Sequence, residues 1–173
     1  MNRRNTPTRA TMALLCFAVA LPAGDGAAQQ KTLKDQLVGA WTQISLEITP
    51  QNSTKEQRFG ANAKGILILD ASGRYAWVGG NPDRPKFKAS GNFRLNTPAA
   101  EWGEAAKEFG AHFGTWSVNE ADKTLIQINE ISLVPNNAGF EEKSFVSLAG
   151  DELKLVQTTP AGVRIDEVFR RAK

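Results

Sequence analysis

The chain contains one cysteine, one histidine and one tyrosine among its 173 residues. The cysteine, Cys16, lies in an apolar run near the start, so the rest of the chain has no disulfide, cysteine nucleophile or cysteine-ligated metal. The single histidine, His112, argues against zinc, because zinc sites combine several cysteine and histidine ligands. We therefore expect neither a metal nor a cofactor.

Residues 1–28 have the pattern of a secretory signal peptide. Three arginines precede an apolar run, residues 11–21, which is too short to span a bilayer, and a proline and small residues follow. Gly26 and Ala28 place small side chains where a signal peptidase reads the chain. We predict cleavage after Ala28, which leaves one domain over residues 29–173.

This processing predicts a periplasmic or secreted protein with no integral membrane segment once the signal peptide is removed. Lipid attachment at Cys16 is the alternative, but Leu15 stands before it where a small side chain is expected.

The charge of the remaining domain is close to neutral. The whole chain has a formal net charge of +3, but without the three arginines and one aspartate of residues 1–28, 18 basic and 17 acidic side chains remain. A basic cluster is confined to Arg170, Arg171 and Lys173. The sequence therefore predicts no nucleic-acid partner and no affinity for an anionic membrane surface.

Eight stretches alternate apolar and polar residues with period two, as half-buried strands do. They are residues 41–48, 65–69, 74–79, 113–118, 124–133, 140–148, 152–159 and 163–170. Short links rich in Gly, Asn, Asp and Pro join most of them, which favours an antiparallel meander. Closing the sheet into a barrel removes its two unpaired edges. The predicted fold is an all-β, eight-stranded, up-and-down antiparallel barrel.

Two segments depart from this pattern. Residues 32–39 have helical spacing and predict one or two turns before the first strand. Residues 97–113, inserted between the third and fourth strands, predict a helix capped by Thr97, with Pro98 in its first turn. Its apolar stripe, which includes Trp102 and Phe109, is expected to cover the barrel mouth.

The junction after this helix contains His112, Gly114 and Trp116. We expect the helix to end near His112, where an imidazolium would favour the last carbonyl groups. Gly114 would then turn the chain, and the fourth strand would carry Trp116 along the wall. The alternative is that His112 contacts a ligand or acts as an acid or base.

Six motifs resemble the family of lipocalin-like domain proteins of bacteria and fungi, and they occur in the family's order over nearly all of residues 29–173. They are "LVGAW" (37–41), "GILILDASGRY" (65–75), "PDRPKF" (82–87), "AHFGTWSVNE" (111–120), "EISLVPNNAG" (130–139) and "LAGDELKL" (148–155). The resemblance implies a lipocalin-like barrel with a calyx for a small apolar molecule. It also implies that Trp41 packs at the closed end beneath Arg170 or Arg171.

The chain departs from the family at several positions. His112 stands where relatives often have tyrosine, and Trp116 also replaces a tyrosine. Gln127 and Ile128 stand where relatives often have two histidines, although the following glutamate remains as Glu130. Any chemistry that used those two imidazoles is therefore absent here.

Several side chains are candidates for contact with a ligand. They are Tyr75, Trp77, His112, Trp116, Glu130, Ser132 and Asn136. Tyrosine and tryptophan offer rigid apolar faces with one polar edge, although in a barrel such residues also serve as core. Asn136 follows a proline in a turn, where asparagine is also expected for conformational reasons.

The fifth strand allows two phases. If Glu130 and Ser132 face inward, a carboxylate among isoleucines marks a functional position, because an unpaired buried carboxylate is costly. If Leu125 and Ile131 face inward instead, Glu130 is an ordinary solvated residue. The family match at Glu130 favours the inward phase.

The sequence is compatible with three functions. The leading one is an exported protein that binds a small hydrophobic or amphipathic molecule in a barrel calyx. The second is a barrel enzyme, such as an isomerase, cyclase or hydrolase, with Glu130 or His112 as acid or base. The third is an interaction protein, such as a protease inhibitor, although the short polar segment before the first helix argues against it.

Overall fold

The computed structural model describes residues 31–173, and the predicted signal peptide and Cys16 lie outside them. The strands are β1 (Gly39–Thr49), β2 (Glu56–Gln57), β3 (Lys64–Leu69), β4 (Arg74–Gly80), β5 (Phe109–Asn119), β6 (Thr124–Ser132), β7 (Glu141–Ala149), β8 (Glu152–Thr158) and β9 (Arg164–Arg171). The helices are α1 (Leu33–Leu37), α2 (Phe93–Asn96), α3 (Ala99–Lys107) and a 3-10 turn (Pro135–Asn137). In this part of the chain, no helix has the length and apolar character needed to cross a bilayer.

The sheet is a closed barrel of eight antiparallel strands. Consecutive strands pair from β3 to β9, β1 pairs with β3, and β1 also pairs with β9, which closes the circle. The two-residue strand β2 adds only to the end of β1. The predicted eight-stranded barrel with an insertion before the fourth predicted strand, β5, is therefore confirmed.

One end of the barrel is filled by its own side chains. Trp41, Leu69, Leu125, Leu153 and Phe169 are fully buried there. Helix α1 lies across this end, with its Leu37 also fully buried and its carbonyl oxygen accepting a hydrogen bond from Nε1 of Trp41 at 2.8 Å. Dense apolar packing of this kind supplies most of the stability of a small barrel.

Arg171 covers the indole ring of Trp41, as the family resemblance implied for one of two arginines. Its guanidinium carbon lies 4.1 Å from the ring centre, and the two terminal nitrogens donate to the carbonyl oxygens of Val38 and Gln36 at 3.1 and 2.6 Å. The neighbouring Arg170 is exposed instead. The cation therefore ties the end of β9 to the chain segment that enters β1.

The helix at the insertion is shorter than predicted. It ends at Lys107, and β5 already begins at Phe109. Thr97 does not cap it: Pro98 occupies the cap position, and no side chain bonds to the free amide groups there. The helical spacing of residues 97–113 yields to sheet pairing at its end, because β5 forms seven consecutive pairs with β4.

His112 consequently lies within a strand and not at a helix end, so that prediction was wrong. Phe109, Ala111 and Phe113 alternate with Gly110, His112 and Gly114, which is also a period-two pattern. His112 pairs directly with Trp77 of β4.

Gly114 is buried where β5 crosses an irregularity in β6. A Cβ at this position would overlap the backbone carbonyl oxygen of Ile128. Backbone atoms cannot yield as the end of a flexible side chain can, so glycine is required here by close approach of two strands.

We expect Gly114→Ala to lower the free energy of unfolding by roughly 3 kcal/mol or more, because the methyl group must displace backbone. Gly103→Ala is the matched control. Gly103 lies in α3 with open space around its Cα, so the exchange should raise stability by about 0.5–1 kcal/mol. Urea unfolding followed by tryptophan fluorescence measures both, and equal effects of the two exchanges would contradict the close approach.

Candidate functional site

The barrel interior opens into a cavity of about 230 Å³ at the end opposite α1. Apolar side chains on its wall include Leu46, Phe59, Trp77 and Leu155. Polar side chains on its wall include His112, Gln127, Ser132, Glu142 and Glu167. The cavity is therefore amphipathic, with apolar surface and ionisable groups on the same wall.

An irregularity in β6 decides which side chains reach this cavity. Phe113 pairs with Ile131 and the next residue of β5, Gly114, pairs with Asn129, so Glu130 is an extra residue without a partner. Such a bulge reverses the alternation of faces on its far side. Asn129 therefore points into the barrel before the bulge, and Ser132 lines the cavity after it.

The expectation that Glu130 faces inward was wrong. Glu130 is exposed and forms a two-pronged ion pair with Arg74, with one contact of 2.8 Å between Nη2 and Oε2. The hydrogen bond from this guanidinium lowers the pKa of Glu130. Glu130 and His112 therefore lie on opposite faces of the wall and do not converge on one cavity, as an enzyme that used both side chains would require.

Three of the seven predicted ligand residues meet at the cavity: Trp77, His112 and Ser132. The indole of Trp77 and the imidazole of His112 stack with ring centres 5.0 Å apart. The rings are nearly parallel, at 24°. Contact of these side chains with a ligand stays a prediction.

The remaining predicted residues lie elsewhere. Tyr75 is buried beside His112 and does not line the cavity. Trp116 is buried near α1, where Nε1 donates to the carbonyl oxygen of Asp70 at 2.9 Å. Asn136 is exposed in the 3-10 turn, and its neighbour Asn137 lines the cavity instead.

Four polar side chains form a chain of hydrogen bonds along the barrel interior. Nδ1 of His112 lies 3.1 Å from the hydroxyl of Tyr75, and that hydroxyl donates to Oδ1 of Asn129 at 2.7 Å. Nδ2 of Asn129 then donates to Oε1 of Glu142 at 2.8 Å. We call these four residues, which end at the acceptor Glu142, the acceptor chain.

The direction of the acceptor chain is fixed by its chemistry. A carboxylate only accepts, so Asn129 turns its amide nitrogen to Glu142 and its oxygen to Tyr75. The single hydroxyl hydrogen of Tyr75 goes to Asn129, so His112 must donate from Nδ1. Its Nε2 is then left as an acceptor.

Burial shifts the pKa of both rings in this chain. It raises the pKa of the Tyr75 hydroxyl, with smaller contributions from the charges of Glu142 and Glu130. It lowers the pKa of His112 against an opposing effect of Glu142. Both rings are therefore held in their neutral forms around neutral pH.

Trp77 and Gln43 leave polar atoms without partners. Nε1 of Trp77 and both amide atoms of Gln43 are buried with no hydrogen bond to any described residue. The indole of Trp77 lies flat over the backbone of Gly79 and Gly110, where a Cβ would come within 3 Å of the ring. A buried polar atom without a partner costs about 1–3 kcal/mol, so the packing around Trp77 and Gln43 must offset that cost.

Glu167 is the most perturbed carboxyl group of the described chain. It lies on β9 between Leu46 of β1 and Leu155 of β8, to which it is paired. Burial raises the pKa of Glu167 to about 8, and the charge of Glu142 adds to this. Uncompensated burial of a carboxyl is typical of functional sites.

Sequence reasoning missed Glu142 and Glu167, although a signal was present. Glu142 is in phase with Val146 on β7, and Glu167 is in phase with Ile165 and Phe169 on β9. An acidic residue in the inward phase of an otherwise apolar strand is the pattern that indicates them.

An apolar cleft adjoins the mouth of the cavity. Helix α3 and the loop of residues 82–87 form it, with the rings of Phe87 and Trp102 4.6 Å apart. The cleft has a volume of about 750 Å³ and shares Phe109 and Leu133 with the cavity wall. The insertion therefore lies at the mouth, where its apolar stripe was expected.

Among residues 31–173, no three His, Cys, Asp or Glu side chains are grouped as metal ligands would be.

A family model described as a lipocalin-like domain matches residues 38–167, which is most of the described barrel. The chain belongs to the lipocalin-like domain family. In general terms, this fold suggests small-molecule binding. A search of curated proteins finds no match. Among solved structures, a redesigned beta barrel is similar at 10% identity with a TM-score of 0.41, over 81% of this chain and 95% of that one.

The acceptor chain predicts the tautomer of His112. Since the protein has one histidine, a long-range ¹H–¹⁵N spectrum shows a single imidazole. We expect the neutral form with hydrogen on Nδ1 at pH 7, and loss of that preference in Tyr75→Phe, which removes the accepting oxygen. Hydrogen on Nε2 in the wild-type protein would contradict the direction assigned to the chain.

Glu167 predicts a pH dependence of stability. The carboxyl ionises near its ordinary pKa of 4.5 when unfolded but near 8 when folded, so the folded state binds more protons between these values. The free energy of unfolding should therefore fall as pH rises through this window. The ionisable groups that share its cavity are Glu142, His112 and Arg58.

Glu167→Gln should remove most of this fall and make the variant more stable than wild type at pH 8.5, by at least about 1 kcal/mol. Urea unfolding at a series of pH values measures the difference. Glu141→Gln, on the outer face of β7, is the matched control and should keep the wild-type pH dependence. If the free energy of unfolding of Glu167→Gln depends on pH as that of the wild type does, burial does not raise the pKa of Glu167 in the folded state.

Proposed function

We propose that this protein is exported and holds a small amphipathic molecule in the barrel cavity. Export is supported by the arginines, apolar run and small residues of positions 1–28, which have the pattern of a periplasmic or secretory signal. Binding is supported by membership of the lipocalin-like domain family, whose fold suggests it in general terms.

The observation that carries the proposal is the combination of an apolar wall and two acidic side chains without an ion-pair partner in one cavity. Trp77 and Phe59 both line the wall, with ring centres 6.4 Å apart. Glu142 and Glu167 line the same cavity, and neither forms an ion pair with a described residue. Acidic side chains without a partner would not stabilise an interior that served only as a hydrophobic core.

The size of the cavity limits the ligand. The cavity volume of about 230 Å³ lies just below the roughly 300–1,000 Å³ of sites that hold drug-sized molecules. The part of the ligand enclosed by the barrel is therefore smaller than a drug-sized molecule. The apolar cleft beneath α3 continues from the mouth through Phe109 and Leu133. An apolar tail longer than the cavity would extend into this cleft.

We expect the purified full-length gene product to bind the apolar fluorescent probe N-phenyl-1-naphthylamine at one molecule per chain, with quenching of tryptophan emission through Trp77. Native mass spectrometry should show a chain that starts at Gln29 and a copurified small molecule. Absence of both the probe signal and a copurified molecule would overturn the proposal of binding, and a chain that still carries residues 1–28 would overturn export.

A variant that fills the cavity tests whether the probe binds there. Ser132→Trp puts an indole into the cavity wall, and binding of the probe should weaken by about tenfold or more. Ser117→Trp places the same side chain on the exposed outer face of β5 and should leave binding unchanged. Far-UV circular dichroism confirms that both variants fold. Equal binding by the two variants would place the probe outside the barrel.

A further inference from the structure

We infer that the molecule held in the cavity carries a protonated amine, which the carboxylates of Glu142 and Glu167 recognise, on a small aromatic or aliphatic body. This inference rests on the proposed function and adds the chemical class of the ligand. It follows from which charged groups of the barrel have partners and which do not.

Acidic side chains on the outer wall are each matched by a base. Glu130 pairs with Arg74, Glu141 with Lys143 at 2.9 Å, Glu152 with Lys154 at 3.1 Å, and Asp166 with Arg164 at 2.7 Å. The two carboxyl groups on the inner wall have no such match. Within residues 31–173, neither Glu142 nor Glu167 lies within 4 Å of a basic nitrogen, and Glu167 accepts no side-chain hydrogen bond.

The cavity holds two acids and little opposing charge. Burial keeps His112 neutral by lowering its pKa. Arg58 is the basic side chain of the described lining, and it is exposed at the rim. Its guanidinium carbon lies 4.8 Å from the ring centre of Phe59, and Nη1 donates to the carbonyl oxygen of Lys107 at 3.4 Å. Because Arg58 is exposed, water screens its charge. A cation is therefore the missing partner inside the cavity.

The direction of the hydrogen bonds in the acceptor chain points to the same class of ligand. The acceptor chain delivers every hydrogen towards Glu142 and leaves Nε2 of His112 as an acceptor. A primary or secondary ammonium group donates two or three hydrogen bonds and accepts none, which suits carboxylate and imidazole acceptors.

The test compares three probes with the same phenyl body but different head groups. They are 2-phenylethylamine, 2-phenylethanol and 3-phenylpropionate, titrated calorimetrically into the full-length gene product at pH 7. The amine should bind at least about tenfold more tightly than the alcohol, because a charge-assisted hydrogen bond replaces a neutral one, and the carboxylate should bind least.

Amine binding should also release a proton. Glu167, with its pKa raised to about 8, holds a proton at pH 7 in the empty cavity, and a bound ammonium group would displace it. The binding enthalpy of the amine should therefore change with the ionisation enthalpy of the buffer, whereas that of the alcohol should not.

Glu142→Gln and Glu167→Gln should each weaken the amine by about tenfold and leave the alcohol unchanged. Glu141→Gln, on the outer face beside Glu142, is the matched control and should alter neither. The melting temperature verifies that each variant folds, and the Glu167 variant decides the question alone if the Glu142 variant does not fold.

The outcomes separate the two proposals. If the alcohol binds as well as the amine, or the carboxylate binds best, the inferred ligand class is wrong while the proposed binding function stands. If none of the three probes and no naphthylamine probe binds, both fail. Amine selectivity that persists in both glutamine variants would place recognition outside this pair and would also overturn the inference.

Discussion

Pairing between β1 and β9 is the constraint on which the rest of the structure depends. It joins Trp41 to Arg171 at one end and Thr49 to Arg164 at the other. Without it the sheet would keep two unpaired edges and would enclose no interior. The guanidinium of Arg171 strengthens this closure with bonds to backbone oxygens up to 135 positions earlier in the chain. Such distant contacts are entropically costly to form, so apolar packing around Trp41 must offset that cost.

The barrel was predictable because period-two alternation is a property of the chain itself, and turn residues separate each stretch. The site was less predictable because it depends on where alternation is interrupted. Tyr75 and Trp77 are both buried and share the inward face of β4, as period-two alternation requires. Glu130 does not, because alternation from the inward residues Gln127 and Asn129 turns it outward, and the bulge in β6 then brings Ser132 inward in place of Ile131. The bulge lies where Gly114 of β5 closely approaches Ile128 of β6. This contact joins two strands, so the residue pattern of either strand alone does not reveal it.

The error at His112 has a related cause. Residues 97–113 contain apolar side chains at helical spacing and, over their last part, also at strand spacing. Local propensity cannot choose between these, but the neighbouring strand can, since β4 offers a row of backbone partners up to Gly80. Pairing with β4 turns His112 into the barrel, beside Trp77. Tertiary contacts therefore decide both the end of the helix and the chemistry of the cavity.

The two ends of the barrel differ in packing and polarity. Leu69, Leu125 and Phe169 fill the end beneath α1 without exposure to solvent. At the other end, Glu167 and the indole nitrogen of Trp77 are desolvated without full compensation. Such groups persist only where the surrounding packing overrides their cost. The filled end therefore allows the cavity to keep unmatched polar groups. In the function proposed above, the acidic groups among them would give the cavity a preference for one kind of ligand.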